Sequence, residues 1–241
     1  MTAITRASGA DLSRWSAVPL PAANVTSEPA QPVVVSAFDV DGTVTRHDCV
    51  VPFLRLVGGT WPLVAGLARQ THRLVPAVLR RDRDRIKAIA SSVVFRGRPV
   101  THVDALGRVF AATVSADGLR DDTIARLRWH QRRGDRTVLV SASFAVYLRP
   151  LAERLGVDHV LATELEHDDA GRCTGRLIGG NCRGVEKRRR LHALLADAYG
   201  GRSATTVWAY GDSAGDRELL DDADHAVWAR RPIAPTAEDA R

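Results

Sequence analysis

Asp39 and Asp41 stand at the end of the run VVVSAFDVDGTVT (33–45), two positions apart and followed by Gly42 and Thr43. Residues 33–38 read as a strand buried on both faces, as in a parallel sheet. Along an extended chain, residues two apart point the same way. If the extended shape persists through Asp41, the spacing predicts two carboxylates aimed at one spot. Such a pair repels unless one member keeps its proton or a cation lies between them. One carboxylate at a strand end can attack phosphorus, and a second can protonate the leaving oxygen and then activate water. An anionic substrate needs cationic help there, and a hard cation such as Mg²⁺ takes oxygen ligands.

Further groups suited to that chemistry lie at other strand ends. RTVLVSAS (136–143) ends in Ser141, Ala142 and Ser143, and TTVWAYGDS (205–213) ends in Asp212 and Ser213. Ser141 could donate to a phosphate oxygen, or cap the helix expected from Phe144. Asp216 follows Asp212 by four residues and can share one side of a helical turn. The chain contains only two lysines, Lys87 and Lys187, among 34 Lys and Arg residues. Retention of a compact, mobile ammonium at Lys187 suits neutralisation of a transferred phosphoryl group. The neighbouring Arg188, Arg189 and Arg190 read as a solvated face.

Three strand ends can meet because the elements alternate. Helical patterns over 121–134, 144–156, 184–200 and 215–223 separate apolar strands over 136–143, 159–166, 205–213 and 225–229. Pro150 falls inside the second helix, and DDAGR joins 159–166 to 173–179 as a hairpin. This is an α/β pattern: a Rossmann-like parallel sheet with helices on both faces. Ligands in such sheets bind beyond the carboxyl ends of the strands. Residues 33–50 and 117–241 form the core. Residues 51–116 have helix-period apolar positions and are expected to form a small helical cap inserted after the first strand. Residues 1–32, rich in Ala, Pro, Ser and Thr, read as a flexible N-terminal arm.

Composition narrows the possibilities. The 241-residue chain is 45% hydrophobic, with net charge +6. No apolar stretch approaches the roughly 20 residues of a membrane span. No secretory leader is visible, and Cys49, Cys173 and Cys182 form no CxxC pair, so a reducing, cytoplasmic setting is expected. His47, His72 and His102 lack metal-ligand spacing and read as surface or packing residues. No aromatic-basic nucleic-acid motif is present, so no specific nucleic acid is expected.

The ordered set Asp39-Val40-Asp41-Gly42-Thr43, Ser141 in VLVSAS, Lys187 in CRGVEK and GDSAGD (211–216) resembles the four motifs of the haloacid dehalogenase-like hydrolase superfamily. The insert position is similar to that of the branch containing phosphoserine phosphatase and phosphatidylglycerophosphatase C. The resemblance implies a Mg²⁺-dependent phosphatase in which Asp39 is the nucleophile and Asp41 the general acid/base. Lys187 would neutralise charge. Ser141, Ala142, Gly42 and Thr43 would bind phosphate. Asp39, the Asp41 carbonyl and Asp212 would hold the metal, supported by Asp216 and Ser213. Phosphoserine phosphatases usually read SGG and GDxxND where this chain has Ser141-Ala142-Ser143 and Gly215-Asp216. Asp48 lies near the position where they place a carboxylate for the substrate amine.

The expected partner is a phosphorylated small molecule; the oligomeric state is not encoded in any of these features. Two other readings stay open. One is a lipid-phosphate phosphatase on an anionic membrane surface, suggested by the basic charge and by Trp61, Leu63, Val64 and Leu67. The other is a non-catalytic phosphate-binding protein.

Overall fold

The computed structural model describes residues 32–234. The expected N-terminal arm lies almost wholly outside them. Six strands form one sheet in the order β4-β3-β2-β1-β5-β6. They are β1 (Val33–Phe38), β2 (Arg136–Phe144), β3 (His159–His167), β4 (Cys173–Ile178), β5 (Thr205–Gly211) and β6 (His225–Trp228). All neighbouring pairs are parallel except β3 and β4, which form an antiparallel hairpin. The chain runs outward from central β1 through β2, β3 and β4, then returns to the other side of β1 with β5 and β6. That reversal beside β1 opens a crevice at the carboxyl ends of the strands.

Alternation along the strands divides the core into two layers. Val35 and Ala37 of β1, Val138 and Val140 of β2, and Val207 and Ala209 of β5 face one way. They pack with Leu191 and Leu195 of α8 (Val185–Tyr199) and with Leu219 and Leu220 of α9 (Arg217–Asp221). Phe38, Leu139 and Tyr210 face the other way, in the cluster with Leu127 of α6 (Asp121–Arg132) and Leu148 and Leu151 of α7 (Ala145–Leu155). Asp39 continues the parity of Val35 and Ala37 and so emerges on the α8 side.

Between β1 and β2 lie α1 (Val50–Gly58), α2 (Thr60–Arg69), α3 (Thr71–Leu79), α4 (Arg83–Phe95) and α5 (Val100–Asp117). Their inner surface shares the core of the sheet domain. Phe53 of α1 meets Tyr147 of α7 with ring centroids 4.8 Å apart, and Phe95 of α4 meets Phe144 at 5.1 Å. Backbone bonds also join the segment after α4 to the hairpin: Gly97 N–H to Cys173 O at 2.8 Å, and Cys173 N–H to Arg98 O at 2.9 Å. Of the four apolar residues noted above, Leu63 is buried and Leu67 is partly buried, leaving Trp61 and Val64 exposed. The two buried ones occupy the face of α2 turned toward the core, as a 3.6-residue period requires.

One buried polar relay links α6 to the sheet. His130 has no exposed side-chain surface, and its Nδ1 lies 2.7 Å from Asp135 Oδ2. A carboxylate there fixes Nδ1–H as donor, so Nε2, 2.8 Å from the Tyr210 hydroxyl, accepts. Burial pushes the imidazole pKa down to about 4, although Asp135 opposes the shift. The folded protein therefore resists a proton that the unfolded chain takes up near pH 6.5. This contribution to stability is present above that pH and is lost as pH falls toward 4. The cost is about 3 kcal/mol. Denaturant titrations between neutral and acidic pH should show this loss in the wild type and a shallower one in His130→Gln; equal slopes would contradict the assignment.

Candidate active site

The turn after β1 separates the two aspartates. Val40 O accepts from the amides of Thr43, Val44 and Thr45 at 2.9–3.1 Å, so the strand does not continue through Asp41. The two side chains consequently bond different partners, although both reach one cavity. Asp39 contacts the ammonium of Lys187. Asp41 accepts from the Cys49 amide at 2.9 Å and from the Ser143 hydroxyl at 2.5 Å. Burial raises the pKa of Asp41, and the Ser143 bond works against that shift.

Lys187 enters from the first turn of α8 and is 2% exposed. Its Nζ bonds both Asp39 and Asp216, the latter at 2.6 Å. These two carboxylates hold the ammonium well above its usual pKa despite burial. Burial pushes Asp39 up to about 7, against the opposing pull of Lys187. Burial also disfavours charge on Asp216, but Lys187 and Ser213 together keep it below the usual range. Asp216 uses its other oxygen to accept from the Ser213 amide at 2.9 Å and hydroxyl at 2.8 Å, in a capping box.

Asp212, at the end of β5, completes the acidic group. Carboxylate oxygens of Asp39, Asp212 and Asp216 lie within 4.8 Å of one another. Burial and the charge of Asp216 raise the pKa of Asp212. Three carboxylates around one ammonium leave excess negative charge in a poorly hydrated place, and oxygen donors suit Mg²⁺. The donor set therefore fits a hard divalent cation. Two glycines make room for these acids. A Cβ on Gly42, which has φ +82°, would lie 2.5 Å from Asp212 Oδ2, and one on Gly211 would lie 2.5 Å from Asp216 Cβ.

At the end of β2 the pairing with β3 shifts: Val140 pairs with Leu161, but Phe144 pairs with Thr163. Ser141, Ala142 and Ser143 therefore bulge out of the ladder. The Ser141 hydroxyl accepts from the Ser143 amide at 3.0 Å, which leaves its own hydrogen available. Helix α7 starts only after this bulge, so Ser141 bonds within the bulge and not to the helix end.

These groups line one cavity of about 470 Å³. Asp39, Asp41, Gly42, Ser141, Ala142, Lys187, Asp212, Ser213 and Asp216 all reach it. Thr43, expected to bind phosphate, does not line it; its hydroxyl lies behind Asp212, 3.4 Å from Oδ1. Helices α1 and α4 supply an apolar wall of Val50, Val51, Leu54 and Ile86, and Arg46, Arg83 and Arg183 add positive charge. Asp48 also lines the cavity, but one of its oxygens is engaged by the Val50 and Val51 amides at 2.9 and 3.2 Å.

Sequence reasoning placed Ser143 at this strand end but gave it no role; it holds Asp41. It missed Lys87 and Asn181 as site residues, and both line the cavity beside Ala142. Lys87 had a visible signal, being the other lysine in an arginine-rich chain. Arg190 also differs from the solvated face expected, since it donates to Ala162 O at 2.5 Å and pairs with Glu186 at 2.7 Å.

Comparison with known proteins agrees with this geometry. The family model for haloacid dehalogenase-like hydrolases matches residues 37–221. Protein CicA of Caulobacter vibrioides is 35% identical over 212 residues, covering 87% of this chain and 92% of CicA. Phosphoserine phosphatase SerB2 of Mycobacterium tuberculosis is 31% identical over 186 residues, covering 76% of this chain and 41% of SerB2. A Bordetella pertussis protein of unknown function superposes with TM-score 0.67 at 24% identity, covering 79% of this chain and 87% of that one. A phosphoserine phosphatase, solved as a phospho-aspartyl intermediate analogue, gives TM-score 0.53 at 16% identity over 80% of this chain and 84% of its own. With its acids, lysine and serine gathered at the ends of β1, β2 and β5, the chain belongs to the haloacid dehalogenase-like hydrolase family and is homologous to phosphoserine phosphatases.

Proposed function

We propose that the protein is a Mg²⁺-dependent phosphatase that hydrolyses a small phosphomonoester through a phosphoryl group carried on Asp39. The observation that carries this reading is the position of Asp39. It lies at the end of the central strand, against Lys187, within one carboxylate cluster and open to the cavity.

An Asp39 oxygen attacks phosphorus in line with the leaving oxygen, and the phosphorus–oxygen bond to the leaving group breaks. Asp41, whose burial favours the protonated form, gives its proton to that oxygen. It then takes a proton from the water that attacks phosphorus, releasing phosphate and restoring Asp39. Ser143 and the Cys49 amide keep the Asp41 carboxyl in one orientation throughout. Lys187 offsets the charge on Asp39 and the phosphoryl oxygens. Ser141 and the amides of the bulge receive a phosphoryl oxygen. Asp39, the Asp41 carbonyl and Asp212 would hold Mg²⁺, with Asp216 and Ser213 behind them. When bound, the ion would supply positive charge that offsets the negative charge of the phosphoryl group.

A second reading has a specific motive. Trp61 is 81% exposed and Leu79 78% exposed, on helices that also carry Arg69 and Arg73. A phosphate on a lipid, reached from an anionic surface, suits that combination. Sedimentation with anionic vesicles at low salt tests it; absence of binding removes this reading and leaves the soluble substrate.

Asp39→Asn should abolish release of phosphate from p-nitrophenyl phosphate while near-ultraviolet circular dichroism stays native, and phosphate release at the wild-type rate would sink the nucleophile assignment. Chelation should stop turnover and Mg²⁺ should restore it, with Asp212→Asn shifting the half-saturating Mg²⁺ upward by about tenfold or more. Ser143→Ala should lower kcat by roughly tenfold with little change in KM, because it frees the Asp41 carboxyl without touching phosphate. A change confined to KM would contradict that role.

A further inference from the structure

Lys87 crosses from α4 to the phosphate-binding end of the sheet. It is 8% exposed, and its Nζ donates to Ala142 O, to Thr163 Oγ1 at 3.2 Å and to Asn181 Oδ1 at 3.2 Å. Three oxygen neighbours match the three hydrogens of an ammonium. The Phe144 ring lies under it, with the centroid 4.3 Å from Nζ. No carboxylate forms a salt bridge with it among the described residues. Asp41 and Asp48 on the cavity side, Asp84 on its own helix and the Cys182 thiol act on it only through space. Asn181 is fixed in turn by donating to Asp84 at 2.6 Å. A buried cation with no direct counter-ion is costly, so its placement calls for a role.

The bulge in β2 supplies one. Ala142 O is released from the strand ladder by the register shift and is taken by Lys87, with the Thr163 hydroxyl 2.8 Å away. That carbonyl and the Ser143 amide belong to a single peptide group. The same amide donates to Ser141 Oγ. A cation on the oxygen end of a peptide polarises it and strengthens donation from its nitrogen end. A hydroxyl that accepts a stronger bond becomes a better donor itself.

We propose that Lys87 is a positioning residue that reaches the substrate phosphoryl group through the Ala142–Ser143 peptide and the Ser141 hydroxyl. Its ammonium fixes the plane of that peptide and sharpens the donor that Ser141 presents. Through it, the seating of α4 is coupled to the affinity of the strand end for phosphate. This inference rests on the phosphatase reading for its ligand but not for its test.

Lys87→Met removes the ammonium and keeps an apolar stem of similar length. The probe is inorganic phosphate in the presence of Mg²⁺, measured by titration calorimetry at about pH 6 and about pH 8.5. Burial lowers the pKa of Lys87 to about 7, so the ammonium is present at the lower pH and largely gone at the higher. The ratio of variant to wild-type Kd cancels the titration of phosphate itself. The expected ratio is about ten at the lower pH and approaches one at the higher. A ratio near one at both values, or an equal loss at both, overturns the inference, because a structural role alone would not follow the lysine's titration. Lys87→Gln, which retains a neutral donor, gives the same reading if Lys87→Met does not fold; failure of both to fold assigns Lys87 to the fold and also overturns it. Turnover of p-nitrophenyl phosphate by the wild type is scored separately. Its absence, with the expected Kd ratio present, removes the catalytic reading and leaves the role of Lys87 in place.

Discussion

Lys187 lies almost out of reach of water, between Asp39 and Asp216, and the remainder of the site is arranged around that contact. Asp39 comes from the central strand and Asp216 from the turn after β5. The ammonium therefore holds together two chain segments that the sheet brings side by side but does not itself join at this point. An ion pair so deeply buried earns no large net stability, since both partners lose hydration. Its effect is to fix geometry: the free oxygen of Asp39 faces the cavity while Asp212 stands close by. Burial, helped by the charges of Asp216 and Asp41, raises the affinity of Asp39 for a proton against the pull of Lys187, and the surplus of carboxylates suits the cluster to a divalent ion.

The two aspartates after β1 have separate surroundings because the chain turns at Val40. Asp39 remains on the α8 side with Lys187. Asp41 is carried toward the bulge in β2, where Ser143 and the Cys49 amide hold it. Two carboxyls in one cavity differ in protonation only if their surroundings differ, and here a single turn provides that difference. Helices α1 and α4 complete the cavity on the side away from the sheet. Their cores merge with that of the sheet domain through Phe53, Phe95, Phe144 and Tyr147, so this wall of the cavity is built on packed aromatic contacts.

Much of this was legible in the order of residues. Asp39, Asp41, Ser141, Lys187 and Asp212 each end a strand or begin a helix, and the alternating pattern already implied that these ends meet. The hairpin at 159–178 and the terminal strand were readable from turn residues and apolar runs. The direction of Asp41 was not, because it depends on amides that turn back onto Val40 O, and the period of a strand says nothing about where the strand stops. The contacts of Ser143 and Lys87 were hidden for a different reason. Their partners lie 102 and 55 residues away in the chain, and the β2 bulge that makes both contacts possible leaves no mark in hydrophobic periodicity. Arg190 was misread because a run of cations resembles a wet surface until the carbonyl of Ala162 is known to lie beneath it.

Gly42 and Gly211 occupy space that the carboxylates of Asp212 and Asp216 require. Each glycine and its acid form an interlocked couple drawn from separate positions in the chain. A methyl group at either glycine would displace its acid. The positive φ of Gly42 and the nearness of Gly211 to Asp216 Cβ keep both positions bare even without the carboxylates, so in lineages where the chemistry has decayed the glycines should outlast the acids.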